Sequence, residues 1–389
     1  MAGLPPFAKV NVLYWYKEID DVAYTLAHHL RGLAYEPHLY RYDEEAPLAD
    51  APLLFTYAPW GRIQRVAARV EALDPARRPF WIHWSTEDCP DIRLSGAVTR
   101  PAGSLLAWMD RLQDKAGVTG WLAQMTPLRW INEHFHKFRY VGAYDNALGS
   151  GLMGLLVEYS HVYACYYQSI GMQVEYAPWG LLHETTGSYP PMRPCERDID
   201  VLWIGTRRTR RRSQLLDQVM GDLEARGRRI HIVDGVATPP VYGQERASLL
   251  NRAKITLNLL PTWYDSALAY RWPLVAASKS LLVSEVSLPH APELKPGTHY
   301  VAAPVGALVD TICHYLDHPA ERQPIIERAY ASVTQEQTMQ ESVQRIMQWA
   351  EQRRQAARQG MDTVGLQLAR TGLLFAGFWL WLSNLEVPL

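Results

Sequence analysis

Short apolar runs alternate with amphipathic stretches along most of this chain; the alternation stops once and then restarts. A chain patterned strand, helix, strand in this way folds as a mainly parallel sheet wrapped by helices. In the first half the predicted strands are Val10–Tyr16, His38–Tyr42, Leu53–Thr56, Pro79–Trp84, Phe138–Val141 and Met172–Tyr176, with helices over Asp21–Gly32, Ala97–Lys115 and Gly151–Ile170. The second half repeats the pattern, with strands at Asp200–Ile204, Arg229–Val233, Ile255–Leu259 and Ser280–Ser284. Its helices are expected over Ser213–Arg226, Gly243–Ala253, Leu268–Ala277 and Val305–Leu316. The proline-bearing stretch Leu181–Asp198 lacks periodicity and reads as a linker. The expected fold class is therefore α/β, with two doubly wound domains facing a central cleft. Residues 1–180 form the first, 181–198 the linker, 199–334 the second, and 335–389 closing helices that return toward the first.

The pentapeptide YAPWG occurs at Tyr57–Gly61 and again at Tyr176–Gly180. Nothing around the two copies matches, so they do not mark a duplication. Each follows an apolar run, and Pro and Gly end a strand because one lacks an amide proton and the other tolerates the turn. Both copies read as carboxyl ends of strands, the edge where open α/β sheets bind ligands.

Composition narrows the function classes. At 389 residues, with 48% hydrophobic residues, each half can bury its own core. A net charge of −1 and a pI near 6.9 give no general attraction to nucleic acid or anionic lipid, so any polyanion site is local. Four scattered cysteines without C-x-x-C spacing argue against a zinc site or a disulfide framework and fit a reducing cytoplasm. The amino terminus lacks the pattern of a signal peptide. Gly372–Leu382, GLLFAGFWLWL, is an apolar run of 11 residues, short of the ~20 that span a bilayer. It is expected to be a closing helix, or a peripheral membrane or protein contact.

Two stretches carry chemistry. DIDVLWIGTRRTRRRSQLL sets Gly205 and Thr206 after a strand and five arginines before a helix. Free amides and the positive end of a helix suit a phosphate group, and Arg207, Arg208 or Arg211 add paired donors. Five arginines cannot all touch one ligand, so part of the run is a solvated loop. The chain lacks G-x-G-x-x-G and P-loop signatures at useful positions. Further on, a helix bearing Arg271 precedes a strand ending in Ser284 and Glu285. A carboxylate there suits the paired hydroxyls of a ribose; equally, Glu285 could pair with Arg271 to hold helix to strand.

From Asp200 to about Arg328 the chain resembles the carboxyl-terminal domain of GT-B glycosyltransferases, especially the branch similar to spore-maturation proteins. The resemblance lies in VLWIGTRRTRRR, LLNRAKITLNL, YRWPLVAASKSLLVSEVS, ELKPGTHYV and ICHYLDHPAER, in that order. Upstream, FRYVGAYDNALGSGLMG and the second YAPWG resemble segments near the end of the first domain in that fold. The resemblance implies two Rossmann-like domains, a UDP- or GDP-linked nucleotide sugar held by the second, an acceptor held by the first, and no obligatory metal. Its donor-binding residues would be Gly205, Thr206, Arg207, Arg208, Arg211, Arg271, Ser284 and Glu285. Relatives usually carry a ribose-binding glutamate on the helix that here reads ALAYRWPLV, where this chain has Leu268 and Leu274.

The expected activity is glycosyl transfer to a hydroxyl of an unidentified acceptor, whether glycan, lipid, protein or modified nucleic acid. An inverting reaction needs a base from the first domain. Asp145, flanked by glycines, is the first candidate, with His83 and Glu87 at another strand end; a capping Asp or a satisfied core His would explain the same residues. The alternative is a catalytically degenerate nucleotide-binding or scaffold protein of the same fold. The basic run also admits nucleic-acid contact, but the neutral pI lacks the broad basic face this normally requires.

Overall fold

The computed structural model describes residues 8–14, 21–42, 44, 46–57, 63–116, 126–181, 195–207, 209–262, 264–265, 268–287 and 294–358. Two parallel sheets organise them. The first has six strands in the order β2-β1-β3-β4-β5-β6: β1 Lys9–Tyr14, β2 Glu36–Arg41, β3 Leu53–Tyr57, β4 Phe80–Ser85, β5 Met153–Glu158 and β6 Val174–Tyr176. The second has five in the order β11-β10-β9-β7-β8: β7 Ile199–Ile204, β8 Ile230–Val233, β9 Ala253–Asn258, β10 Leu281–Glu285 and β11 Val301–Ala303. Central strands such as LLFTY in β3 and LLVSE in β10 are buried along their whole length. That is why they read as continuous apolar runs rather than alternating ones, as expected when helices cover both faces of a sheet.

The helices are α1 Asp21–Gly32, α2 Ile63–Glu71, α3 Gly96–Ala116, α4 Thr126–Gly149, α5 His161–Ser169, α6 Arg210–Ala225, α7 Gly243–Arg252, α8 Leu268–Ala277, α9 Leu308–Asp317, α10 Pro319–Ala331 and α11 Met339–Arg358. In each sheet the strand order reverses once, between β1 and β3 in the first and between β7 and β9 in the second. Ligands of open α/β sheets bind beyond the carboxyl ends of the strands at such a reversal. The second reversal puts Gly205 at the mouth of the crevice.

Two sequence expectations are corrected. Phe138–Val141 is not a strand but lies inside α4, where Tyr140, Tyr144 and Ala147 are buried at helical spacing. Gly151–Ile170 is not one helix: Gly151, at φ 70°, ends the preceding turn, MGLLVE forms β5, and a shorter helix follows. A fully buried strand and a buried helical segment have the same apolar signature over a few residues, so periodicity alone could not separate them. α3 crosses α4 at a pair of glycines. A Cβ on Gly142 would lie 1.9 Å from the carbonyl oxygen of Gly103, so the backbones touch.

The helix α11 reaches back over the first sheet. It packs against α1 and β5, Ser342 Oγ donates to the Pro178 carbonyl at 2.7 Å, and Arg353 donates to the Gly154 carbonyl and to Glu175. The second YAPWG is clasped here. Trp179 is buried, and a Cβ on Gly180 would fall 2.2 Å from the Met339 amide. The first YAPWG follows β3, but only its Tyr57 lies within the described residues; most of the expected linker, 182–194, and the apolar run Gly372–Leu382 also lie outside them. Among the described residues no helix is long and apolar enough to cross a membrane.

Candidate functional site

Beyond the carboxyl edge of the second sheet, one polar network joins three neighbouring strands. β7 ends beside Gly205, where a Cβ would lie 2.5 Å from Nη2 of Arg271, so glycine is what lets the guanidinium lie along this backbone. Arg271, on α8, stacks over Trp203 at 5.9 Å and donates to Asn258 Oδ1 at 2.6 Å at the end of β9. Asn258 in turn donates to Ser284 Oγ at 2.9 Å on β10, and Ser284 Oγ donates to the Glu285 carbonyl. The Glu285 carboxylate accepts the Leu260 amide at 2.6 Å and two donors from Arg211, Nη1 at 3.1 Å and Nη2 at 2.5 Å. Arg211 stands in the first turn of α6, whose amino end is capped by Thr209: the hydroxyl accepts the Arg212 amide and donates to the Pro261 carbonyl. The helix start is thereby fixed over the ends of β7 and β9, with its amides and positive dipole end on the crevice side.

This arrangement brings together Gly205, Arg211, Arg271, Ser284 and Glu285, with exposed Thr206 at the rim. Arg207 turns the other way, pairing with Asp234 at 2.8 Å and Asp217 at 2.7 Å. Asp234, held well below the usual carboxylate range first by Arg207, also accepts the Val236 and Ala237 amides, so this pair fixes the loop after β8. Arg208 lies outside the described residues. The suspected pairing of Glu285 with Arg271 is corrected: the partner of Glu285 is Arg211, and Arg271 serves Asn258. Leu274 is part of the core, whereas the side chain of Leu268 lies outside the described residues.

In the first sheet the candidates separate. His83 is in the middle of β4, fully buried, with Nδ1 2.8 Å from Thr56 Oγ1. Burial lowers its pKa to about 3, so it is a neutral core residue. Asp145 sits inside α4 rather than in a glycine loop and accepts from Arg100 of α3, Nη2 at 2.8 Å on one oxygen and Nε at 3.3 Å on the other. It holds two helices together, and both residues leave the list of candidate bases. Glu87 stays at the carboxyl edge, just past β4 and buried, with its amide toward Ser85 Oγ.

Sequence reasoning missed Glu158. It ends β5 opposite Ser85, is fully buried, accepts the Ser160 amide at 3.2 Å, and is pushed well above the usual carboxyl range by burial. An acidic residue closing an apolar run is the same signal that singled out Glu285, but reading this segment as a helix concealed it. Asp265, from the segment after β9, crosses to the first half: Tyr163 donates to it at 3.4 Å and Lys137 lies 3.7 Å away. The carboxyl edges of the two sheets therefore face one another.

Residues 208–348 match the family described as Glycosyl transferase-like. The fold is that of a solved Anabaena protein, HepE, in complex with UDP-glucose, at a TM-score of 0.53 and 9% identity, covering 88% of this chain and 98% of that one. HepE in complex with UDP and glucose gives the same TM-score, 0.53, at 7% identity and the same coverage. No curated protein matches the sequence.

Proposed function

We propose that this chain, whose second half matches a glycosyl transferase-like family and whose whole fold is of the GT-B kind, moves a sugar from a nucleotide-sugar donor to an acceptor hydroxyl. The observation that carries the reading is the network at the reversal point of the second sheet: a glycine turn, a capped helix start and Arg211 and Arg271 converge on one crevice. The acceptor oxygen attacks the anomeric carbon, the bond to the diphosphate breaks, and negative charge develops on the departing phosphate. Preorganised amides at the start of α6 and the two arginines stabilise that charge. The anion draws Arg211 from Glu285, and the released carboxylate is then free for donor hydroxyls. A UDP-linked sugar is the first donor to try, because similar folds are solved with UDP-glucose; a GDP-linked one is the second. If the reaction inverts, Glu87, buried just past the carboxyl end of β4, is the first base to test.

The test is a panel of UDP- and GDP-sugars with pooled glycan, lipid and protein acceptors, read as release of nucleoside diphosphate. Acceptor-dependent release that falls at least ~100-fold in Arg271→Ala supports the reading, as expected when a donor to the leaving oxygens is lost. Release unaffected by Arg271→Ala contradicts the assigned site, and no release with any donor contradicts the activity.

A further inference from the structure

At the opposite edge of the first sheet, where its strands begin, lies a cavity of about 1310 Å³. It is large enough for a drug-sized ligand. Its walls are the starts of β3, β4 and β5, the short turn Pro75–Arg77, and the last turns of α11. Four arginines line it, Arg77, Arg78, Arg353 and Arg354, together with the amide of Gln173; Asp50 is the carboxylate among the lining residues. Counting Glu175 and Glu351 behind Arg353 and Arg354, the site sets four guanidinium groups against three carboxylates. None of this surface belongs to the crevice described above.

Three of the four arginines are held in place. Arg78 donates to the carbonyls of Leu73 and Glu71, neutral acceptors that fix the side chain while leaving its charge. Arg353 is held by the Gly154 carbonyl and Glu175, and Arg354 stands 3.6 Å from Glu351. Among the described residues the Arg77 side chain makes one contact, a long one of 3.8 Å with Asp50, and both side chains are mostly exposed, at 65% and 63%. An arriving anion can displace such a pair, because an exposed contact of that length binds weakly. Guanidinium groups offer the paired, planar donors that phosphate oxygens accept.

We infer that this cavity is a second binding site, for a small phosphorylated anion carrying two or more negative charges. Two of its arginines belong to α11 and two to the first domain, so an anion bound between them ties the closing helix more firmly to the sheet it covers. The site is separate from the donor crevice.

Calorimetric titration of the full chain with inorganic pyrophosphate, in excess UDP so that the crevice is not counted, tests the site. Binding is expected to persist with UDP present and to weaken at least ~10-fold in Arg77→Glu, which sits on the surface and leaves the unliganded melting temperature unchanged. Gln173→Glu, which adds a charge to the opposite wall, should weaken it as well. Arg211→Ala, on the other edge, should not. Absence of pyrophosphate uptake beside UDP, or equal affinity in wild type, Arg77→Glu and Gln173→Glu, overturns the inference.

Discussion

Glu285 shows how a residue's surroundings decide its role. Its carboxylate is buried, while its partner Arg211 keeps 41% of its side chain exposed. Glu285→Gln therefore leaves the cation partly hydrated and retains an acceptor for the Leu260 amide. A loss of about 1–2 kcal/mol in stability is expected, below the 3–5 kcal/mol of a fully buried pair, and a melting curve measures it. Two other buried groups give opposite pH signatures. His83 titrates near 6.5 when unfolded and at about 3 in the fold, so the unfolded chain binds the extra proton between those values. Its contribution is complete above pH 6.5 and declines as pH falls toward 3, at up to ~1.4 kcal/mol per unit. Glu158 is raised in the fold, so the folded state holds the extra proton above the unfolded value of 4.5, and its contribution declines as pH rises from there. Glu158→Gln should thus gain stability relative to wild type on going from pH 5 to pH 8, whereas His83→Asn should flatten the acid limb. Melting temperatures from pH 3 to pH 8 check both signs, and parallel curves for wild type and variants would contradict them.

At the scale of elements, the α3–α4 crossing makes the sharpest demand on sequence. Gly142→Ala places a methyl against the Gly103 carbonyl, backbone against which no side chain can yield. A loss of about 3 kcal/mol, or failure to fold, is expected by denaturant titration. Gly205→Ala meets the far end of Arg271, which can swing aside, and the buried Trp203 ring at 3.1 Å, which must give by a few tenths of an ångström, so the fold should survive with a smaller loss while the crevice loses its ordered guanidinium. These cases also show what was legible in the sequence. The strand ends that place Gly205 and Glu285 could be read because a core strand flanked by polar turn residues writes a bounded apolar run. The α4–β5 region could not, since a buried helix face and a buried strand look alike there, and Asp145 and Glu158 were misjudged as a result; His83 lies on the correctly read β4, and only its burial removes it. The partner of Glu285 was unreadable for another reason: Arg211 is 74 residues away, and only the strand order β7, β9, β10 brings the two together.

For the whole molecule, two parallel sheets present their carboxyl edges to each other, bridged by Asp265 with Tyr163 and Lys137 and closed behind by α11. Under the proposed function a donor on the second half would face whatever the first half holds, the geometry that group transfer between two substrates needs. The donor is proposed to sit on the network at the ends of β7, β9 and β10. Titration of UDP into wild type and Gly205→Val, beside melting curves of both, distinguishes this site from any other. Wild type is expected to bind UDP, and Gly205→Val, with Arg271 displaced, to lose at least ~10-fold in affinity, about 1.4 kcal/mol, while still melting as one cooperative folded protein at a temperature lowered by its contact with Trp203. UDP binding of equal strength in the two proteins would place the nucleotide elsewhere and contradict the account.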